Sequence, residues 1–152
     1  MTLPTYDNLE QGSDEWLEAR RGLVTASVVG KLVTPATIKP ASNPESRGLA
    51  LLLAAERITG LVEPTYMNDD MLRGHESEPI ARNIYSGHFE QATEVGFMVR
   101  EFDGFRLGFS PDGLVGDVGL IEVKAPRAKG HVATILSGEV PAHHVAQCQA
   151  GL

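Results

Sequence analysis

The sequence predicts a mixed α+β fold, in which a central, mostly antiparallel or mixed sheet is flanked by helices. Apolar residues recur at helical spacing in several segments up to about residue 85, and they alternate with a period of two between residues 94 and 125. Helical spacing returns from residue 128 to the end of the chain. The expected order is therefore helices, a meander of three strands, and helices again.

Capping and turn residues set the boundaries of the predicted elements. Ser13 is a favourable N-cap, Trp16 supplies the apolar face of the first helix, and Gly22 is expected to end that helix. Asn68 is expected to cap a long helix that reaches about residue 85, with Pro79 able to kink it. The other predicted elements are a short helix capped by Thr25 or Ser27 and ending at residue 32, a loop over 34–46, a helix over 47–59 stopped by Gly60, strands over 94–100, 105–110 and 119–125 with a turn at 116–119, and helices over 128–136 and from 142 onward.

Length and composition restrict the class of protein. A chain of 152 residues suffices for one domain with one core, so we expect a single domain over residues 1–152. No apolar run approaches the length of about eighteen residues that a membrane span needs. Cys148 is the single cysteine and therefore has no partner for an internal disulfide. Because residues 1–16 also lack the pattern of a secretory signal, we expect a cytoplasmic protein.

The net charge of -7 counts against tight binding of nucleic acid by a lone subunit, because DNA-binding proteins usually contact phosphates through a basic surface. Two considerations reduce the force of this objection. A bound metal ion would neutralise several acids, and a local basic channel can hold DNA on a protein whose outer surface is acidic.

The stretch 107–126, LGFSPDGLVGDVGLIEVKAP, is the most informative part of the chain. It places Asp112 in a tight turn, Glu122 in a short apolar run, and Lys124 two residues later. If this run is a strand, Glu122 and Lys124 share one face while Val123 points to the core. Two carboxylates and a lysine close together at one edge of a sheet suit metal-assisted hydrolysis of a phosphodiester. Without its flanking residues, the same triplet is more often a solvated charge pair.

With the flanking residues, the stretch resembles the active-site hairpin of the PD-(D/E)XK nucleases. SPDG before the triplet and KAP after it narrow the resemblance to the lambda-exonuclease-like, YqaJ-type viral recombinases. The resemblance extends over residues 12–149 and implies a restriction-endonuclease-like core. Members of this family continue with a further strand and helix, so a nuclease domain truncated at its C-terminus is an open expectation.

The resemblance implies Glu78, Asp112, Glu122 and Lys124 as the catalytic residues. Glu78 lies in RGHESEPIARNIY, which is similar to the family's helix motif. Glu76 is its competitor, and a spacing of two turns its side chain roughly 200° away on a helix. Lys124 would orient the attacking water and stabilise the charge that develops on phosphorus.

The same resemblance implies Mg²⁺ as the cofactor, with Mn²⁺ as the alternative. Asp112, Glu122 and the backbone carbonyl of Val123 are the expected ligands. Glu78 would hold the ion through water or bind a second ion, and the sequence leaves open whether one or two metals operate.

A second set of residues resembles the family's pocket for a terminal 5′-phosphate. Its members here are Arg20, Ser27, Ser110 and Gln147. A guanidinium, two hydroxyls and an amide are suitable donors for a phosphate. Arg21 has the same chemistry as its neighbour, so the sequence does not decide between the two arginines.

The implied function is a 5′-to-3′ exonuclease that digests double-stranded DNA from its ends in phage-type homologous recombination. A single-strand annealing protein as partner, a homotrimer, and a phage or prophage origin in a bacterial host cell follow from the resemblance. Two alternatives remain. An endonuclease on the same core is disfavoured by the phosphate pocket, and a non-catalytic DNA-end-binding module is disfavoured by the full catalytic set.

Overall fold

The computed structural model describes residues 5–6, 9, 12–35, 37–63 and 66–152. The elements in chain order are β1 (Thr5–Tyr6), α1 (Asp14–Arg20), β2 (Val24–Thr25), α2 (Ala26–Val29), α3 (Pro44–Thr59), α4 (Asp69–His88), β3 (Ala92–Thr93), β4 (Phe97–Phe102), β5 (Phe105–Phe109), β6 (Gly113–Val115), β7 (Gly119–Ile121), α5 (Ala128–Ser137) and α6 (Ala142–Gly151). The predicted mixed α+β class is confirmed. Within the described ranges, none of the helices combines the length and the apolar character needed to cross a bilayer.

The chain forms two compact units. The first unit consists of Met1–Glu63, Gly96–Ser110 and Ala142–Gly151, and the second consists mainly of Pro64–Val95 and Pro111–Pro141. Each unit has its own sheet, whereas the sequence predicted a single sheet of three strands. The two-residue strands carry too few side chains to show a periodic pattern, so the division into two sheets has no clear signal in the sequence.

The first unit contains a sheet with the order β1-β4-β5-β2. β4 pairs with β1 and β5 in antiparallel fashion, and β2 adds to the other edge in parallel. Phe97 is 1% exposed and forms the centre of a core with Trp16, Leu23 and Val99. The prediction that Trp16 supplies the apolar face of α1 is confirmed, because this residue belongs to the core and only 8% of its surface is exposed.

Gly108 on β5 provides the space that the Phe97 ring occupies. A Cβ atom at Gly108 would lie 2.3 Å from Cζ of Phe97, and the buried ring has no room to retreat. We therefore expect Gly108→Ala to lower the free energy of unfolding by about 1–3 kcal/mol, as overpacking usually does. Denaturation in urea would measure the change.

Gly48→Ala is the matched control for this prediction. Gly48 lies inside α3 with open space around its Cα, so the same substitution is expected to stabilise the protein by about 0.5–1 kcal/mol. An equal effect of the two substitutions would contradict the close packing of Gly108 against the Phe97 ring.

The second unit contains α4 and a sheet with the order β3-β6-β7, in which both pairings are antiparallel. α4 begins where predicted, because the Asn68 side chain accepts a hydrogen bond from the backbone N–H of Met71 at 2.9 Å. Pro79 lies inside this helix. The turn between β6 and β7 contains Gly116 at a φ of +55°, which favours glycine.

Most predicted helices are confirmed, but several boundaries are wrong. α2 ends at Val29 rather than at residue 32, and β4 covers Phe97–Phe102 rather than 94–100. Ser13 caps α1 and Gly60 ends α3 in the left-handed conformation, as predicted. α3 begins at Pro44 rather than at residue 47, because Asn43 and Ser46 form a reciprocal capping box. The predicted strand over 119–125 ends at Ile121, so Glu122 and Lys124 do not belong to a strand.

Candidate active site

The hairpin of β6 and β7 brings Asp112 next to Glu122. Gly113 on β6 is the partner of Ile121 on β7, so the residues just outside this pair, Asp112 and Glu122, face each other. Asp112 also accepts a hydrogen bond on Oδ2 from the backbone N–H of Val123 at 2.5 Å. Asp112 and Glu122 are ten positions apart in the sequence, and the hairpin therefore brings them close together in space.

Lys124 contacts Glu122, although not for the reason given by strand alternation. Nζ of Lys124 lies 2.5 Å from Oε1 of Glu122 in the segment that follows β7. The Glu122 side chain is 14% exposed and that of Lys124 is 36% exposed. Val123 is half-buried rather than a core residue. The lysine thus presents its ammonium group at the carboxylates from the solvent side.

Glu78 joins the same cluster from α4. Its side chain is largely buried and accepts a hydrogen bond on Oε1 from Nη1 of Arg82 at 3.1 Å, one helical turn away. Glu76 is exposed, so the structure brings Glu78 rather than its neighbour to Asp112. We call Glu78, Asp112, Glu122 and Lys124 the carboxylate–lysine cluster.

Arg82 also belongs to this region, although no role for it was predicted from the sequence. Its guanidinium donates to Glu78, to the backbone carbonyl of Asp112, and to Oε2 of Glu94 at 2.6 Å. Its position four residues after Glu78 was the available signal, because that spacing puts both side chains on one face of a helix.

Two carboxyl groups of the cluster, Asp112 and Glu78, have raised pKa values. Burial raises the pKa of Asp112 to about 6, and the charge of Glu122 adds to the effect, while the Val123 N–H, Lys124 and Arg82 oppose it. Burial and the charge of Asp112 likewise raise the pKa of Glu78, against the Arg82 hydrogen bond. Burial is therefore the main reason that the pKa values of both carboxyl groups are raised, and a bound cation would favour their ionised forms.

The donor set suits a hard divalent cation. Within the described ranges, no three Asp, Glu, His or Cys side chains are arranged so that they could hold a metal ion by themselves. Mg²⁺ does not need such an arrangement, because it keeps several waters and is commonly held by one or two carboxylates. Glu78, Asp112 and Glu122 bring three carboxyl groups to this region, where Arg82 pairs with Glu78 and Lys124 pairs with Glu122, and such oxygen donors suit a divalent cation.

Three residues of the predicted phosphate pocket are linked in the first unit by two other side chains. Thr25 links Arg20 with Ser27, and Trp16 links Arg20 with Ser110. Nη2 of Arg20 donates to Oγ1 of Thr25 at 3.4 Å, and the hydroxyls of Thr25 and Ser27 are 3.0 Å apart. Nε1 of Trp16 donates to Oγ of Ser110 at 3.3 Å, and the Arg20 guanidinium lies 4.0 Å from the centre of the Trp16 ring. Neither Thr25 nor Trp16 was predicted from the sequence to belong to this pocket.

The structure separates the two adjacent arginines. Arg21 donates to Glu18 at 2.6 Å and to the carbonyl of Gly60 at 3.2 Å, away from the hydroxyls that Arg20 approaches. Burial lowers the pKa of Arg20, and the charge of Glu56 partly offsets this effect. Gln147 is half-buried on α6, which packs against α2 and β5.

Comparison with known proteins agrees with the predicted resemblance. The family model of the YqaJ-like viral recombinase domain matches residues 15–152. The crystal structure of an alkaline exonuclease (LHK-Exo) from Laribacter hongkongensis is similar at 37% identity and a TM-score of 0.77, and the match covers 91% of this chain and 66% of that chain. The structure of LHK-Exo in complex with dAMP matches over the same shares at 37% identity and a TM-score of 0.76.

The chain thus spans slightly less than two thirds of the alkaline exonuclease that it resembles. No curated protein sequence gives a significant match. The family match covers most of the chain, and the structural similarity is accompanied by substantial sequence identity. The chain therefore belongs to the family of YqaJ-like viral recombinase domains.

Proposed function

We propose that this protein is a Mg²⁺-dependent deoxyribonuclease that digests double-stranded DNA from its ends in the 5′-to-3′ direction, as an exonuclease of phage-type homologous recombination. The observation that carries the proposal is the convergence of Glu78, Asp112, Glu122 and Lys124 in the second unit. The exonuclease named in the structural comparison supports the same reaction class.

Asp112 and Glu122 would hold the metal, with the carbonyl of Val123 as a further ligand and Glu78 acting through water or on a second ion. When bound, Mg²⁺ supplies Lewis-acid polarisation of the phosphate and lowers the pKa of a water molecule, and Mn²⁺ is the alternative ion. Lys124 would orient the attacking water and stabilise negative charge on the phosphoryl oxygens. Its ion pair with Glu122 keeps the ammonium group beside the carboxylates.

Arg20 is the residue that we propose to bind a terminal 5′-phosphate, together with Ser27, Ser110 and Gln147. A partly buried guanidinium attracts a phosphate more strongly than an exposed one, because water screens the interaction less. The Trp16 ring restricts the orientation of the Arg20 guanidinium and, through its N–H, that of the Ser110 hydroxyl. Recognition of a chain end is what an exonuclease requires and an endonuclease does not.

The assembly and the partners of the enzyme belong to the same proposal. A homotrimer around the duplex would hold the DNA by enclosure, which compensates for the net charge of -7. A single-strand annealing protein would take up the strand that is left, in the cytoplasm of a bacterial host. Sedimentation with and without duplex DNA would test the trimer.

The test of the proposed function compares three linear duplexes in magnesium buffer, with 5′-phosphate, 5′-hydroxyl or covalently closed hairpin ends. We expect rapid loss of the 5′-phosphorylated duplex alone, blocked by a chelator. Equal cutting of all three would identify an endonuclease, and binding without cutting would identify a non-catalytic end-binding module.

The phosphate pocket makes a separate prediction. Arg20→Gln removes a charged donor, so the preference for 5′-phosphorylated over 5′-hydroxyl ends should fall by about tenfold to a hundredfold. Arg21→Gln is the matched comparison, because that arginine binds Glu18 and Gly60 instead. A larger loss of preference in Arg21→Gln would reassign the pocket. The ratio of cleavage rates on the two duplexes measures both variants.

A further inference from the structure

The buried guanidinium of Arg82 connects three parts of the second unit. Among the described residues, Arg82 is the one charged residue that is buried, with 8% of its surface exposed. Its hydrogen bonds reach Glu78 on the same helix, the carbonyl of Asp112 in the turn before β6, and Glu94 in the segment after β3. The arrangement therefore joins α4 to the turn that carries Asp112.

A buried charge is costly unless its hydrogen-bonding groups are satisfied, so a position of this kind needs a specific set of partners. The planar guanidinium suits it, because its five donors point in fixed directions toward several acceptors at once. A lysine would keep the charge, but its compact ammonium group cannot reach the same acceptors in the same geometry. The shape of Arg82, and not only its charge, is therefore used here.

We propose that Arg82 is a positioning residue for the metal-binding carboxylates of this protein. It holds the backbone turn of Asp112 and the side chain of Glu78 in one arrangement, so the affinity for a divalent metal depends on Arg82 although it supplies no ligand. This inference rests on the metal site of the proposed function, and it adds a residue that acts on that site through others.

Arg82→Lys tests the proposal, with Arg47→Lys as the matched control. Arg47 is an exposed residue on α3 and makes no side-chain hydrogen bond or ion pair within the described part of the chain. Calorimetric titration of each protein with Mg²⁺ and with Mn²⁺, without DNA, gives the metal affinity directly. Loss of a residue that orients metal ligands typically weakens metal binding by about tenfold to a hundredfold, and we expect a loss of that size for Arg82→Lys and none for Arg47→Lys.

Cleavage provides a second readout that a merely structural role would not change in the same way. In Arg82→Lys, the Mg²⁺ concentration for half-maximal cleavage should rise by the same factor as the dissociation constant, while the rate at saturating Mg²⁺ recovers to near the parental value. A lower rate at all Mg²⁺ concentrations, with unchanged metal affinity, would overturn the proposal.

Glu94→Gln keeps the inference testable if Arg82→Lys does not fold. The Glu94 side chain is 73% exposed, so its substitution does not disturb a core, yet it removes the charged partner of Nη2 of Arg82. We expect a smaller, few-fold loss of metal affinity. Unchanged affinity in every folded variant, or a parental protein that binds neither ion, would overturn the inference. Cleavage of DNA with metal affinity unaffected by these variants would overturn it while leaving the proposed function intact.

Discussion

Replacing Lys124 with alanine is expected to lower the rate of DNA hydrolysis by about a thousandfold, while binding of Mg²⁺ is retained. The ammonium group lies 2.5 Å from Glu122 and its charge also acts on Asp112, so it is placed where negative charge would develop in phosphoryl transfer. Its removal takes positive charge away from the carboxylates and leaves the two proposed metal ligands, Asp112 and Glu122, in place. Metal affinity should therefore be unchanged or slightly higher.

Single-turnover cleavage of 5′-phosphorylated duplex DNA measures the first effect, and calorimetry with Mg²⁺ measures the second. Lys129→Ala is the control, because Lys129 is an exposed residue on α5 that makes no side-chain ion pair or hydrogen bond within the described ranges. Cleavage by Lys124→Ala at the parental rate would show that the active site has been assigned to the wrong residues. Loss of Mg²⁺ binding together with cleavage would make Lys124 an organiser of the carboxylates rather than a catalytic residue.

Asp112→Asn is expected to abolish both cleavage and tight metal binding, and also to stabilise the metal-free protein at neutral pH. The folded protein holds Asp112 at a pKa of about 6, chiefly because the carboxylate is buried and lies beside Glu122. An asparagine keeps the shape of the side chain and can still accept the Val123 N–H, but it carries no charge to bury. The variant therefore removes the cost of burying a charged carboxylate beside Glu122. In the parental protein, a bound metal ion would offset that cost.

The pH dependence of this effect follows from the direction of the shift. In the unfolded chain the Asp112 pKa is near its ordinary value of 3.8, so between 3.8 and about 6 the folded protein binds the proton more strongly. The contribution of Asp112 to stability is thus greatest at low pH and is lost as the pH rises through about 6. The stability advantage of Asp112→Asn over the parental protein should appear across this window and persist above it.

Chemical denaturation in the presence of a chelator, at pH 5 and at pH 7.5, measures this difference. Added Mg²⁺ should then stabilise the parental protein and not the variant, because only a ligand that binds the folded state shifts the equilibrium. If the parental protein were the more stable of the two at pH 7.5 without metal, the Asp112 carboxylate would be favourably rather than unfavourably placed.

Much of the fold could be predicted from the sequence, because its signals are local. Ser13, Gly60 and Asn68 begin or end helices through contacts within a few residues, and these boundaries are confirmed. The β6–β7 turn was likewise expected near Gly116. The early start of α3 at Pro44 was missed because the prolines of the preceding segment were interpreted as loop residues, whereas one of them occupies the first turn of the helix.

The residues of the candidate site could be chosen from the sequence, but their contacts could not. Strand alternation placed Glu122 and Lys124 together for the wrong reason, since β7 ends at Ile121. Nothing local distinguished Arg20 from Arg21, which diverge because their partners, Thr25 and Gly60, belong to different parts of the first unit.

The sequence by itself determined the family, the presence of the main helices and the chemical types available for catalysis, because capping, periodicity and motif spacing act over short distances along the chain. The tertiary structure decided which charges share an environment. Arg82 reaches the carbonyl of Asp112 across thirty positions, and the raised pKa of that aspartate arises from burial that many distant residues create together. Desolvation and charge–charge interactions depend on distance in space, so only the folded chain specifies them.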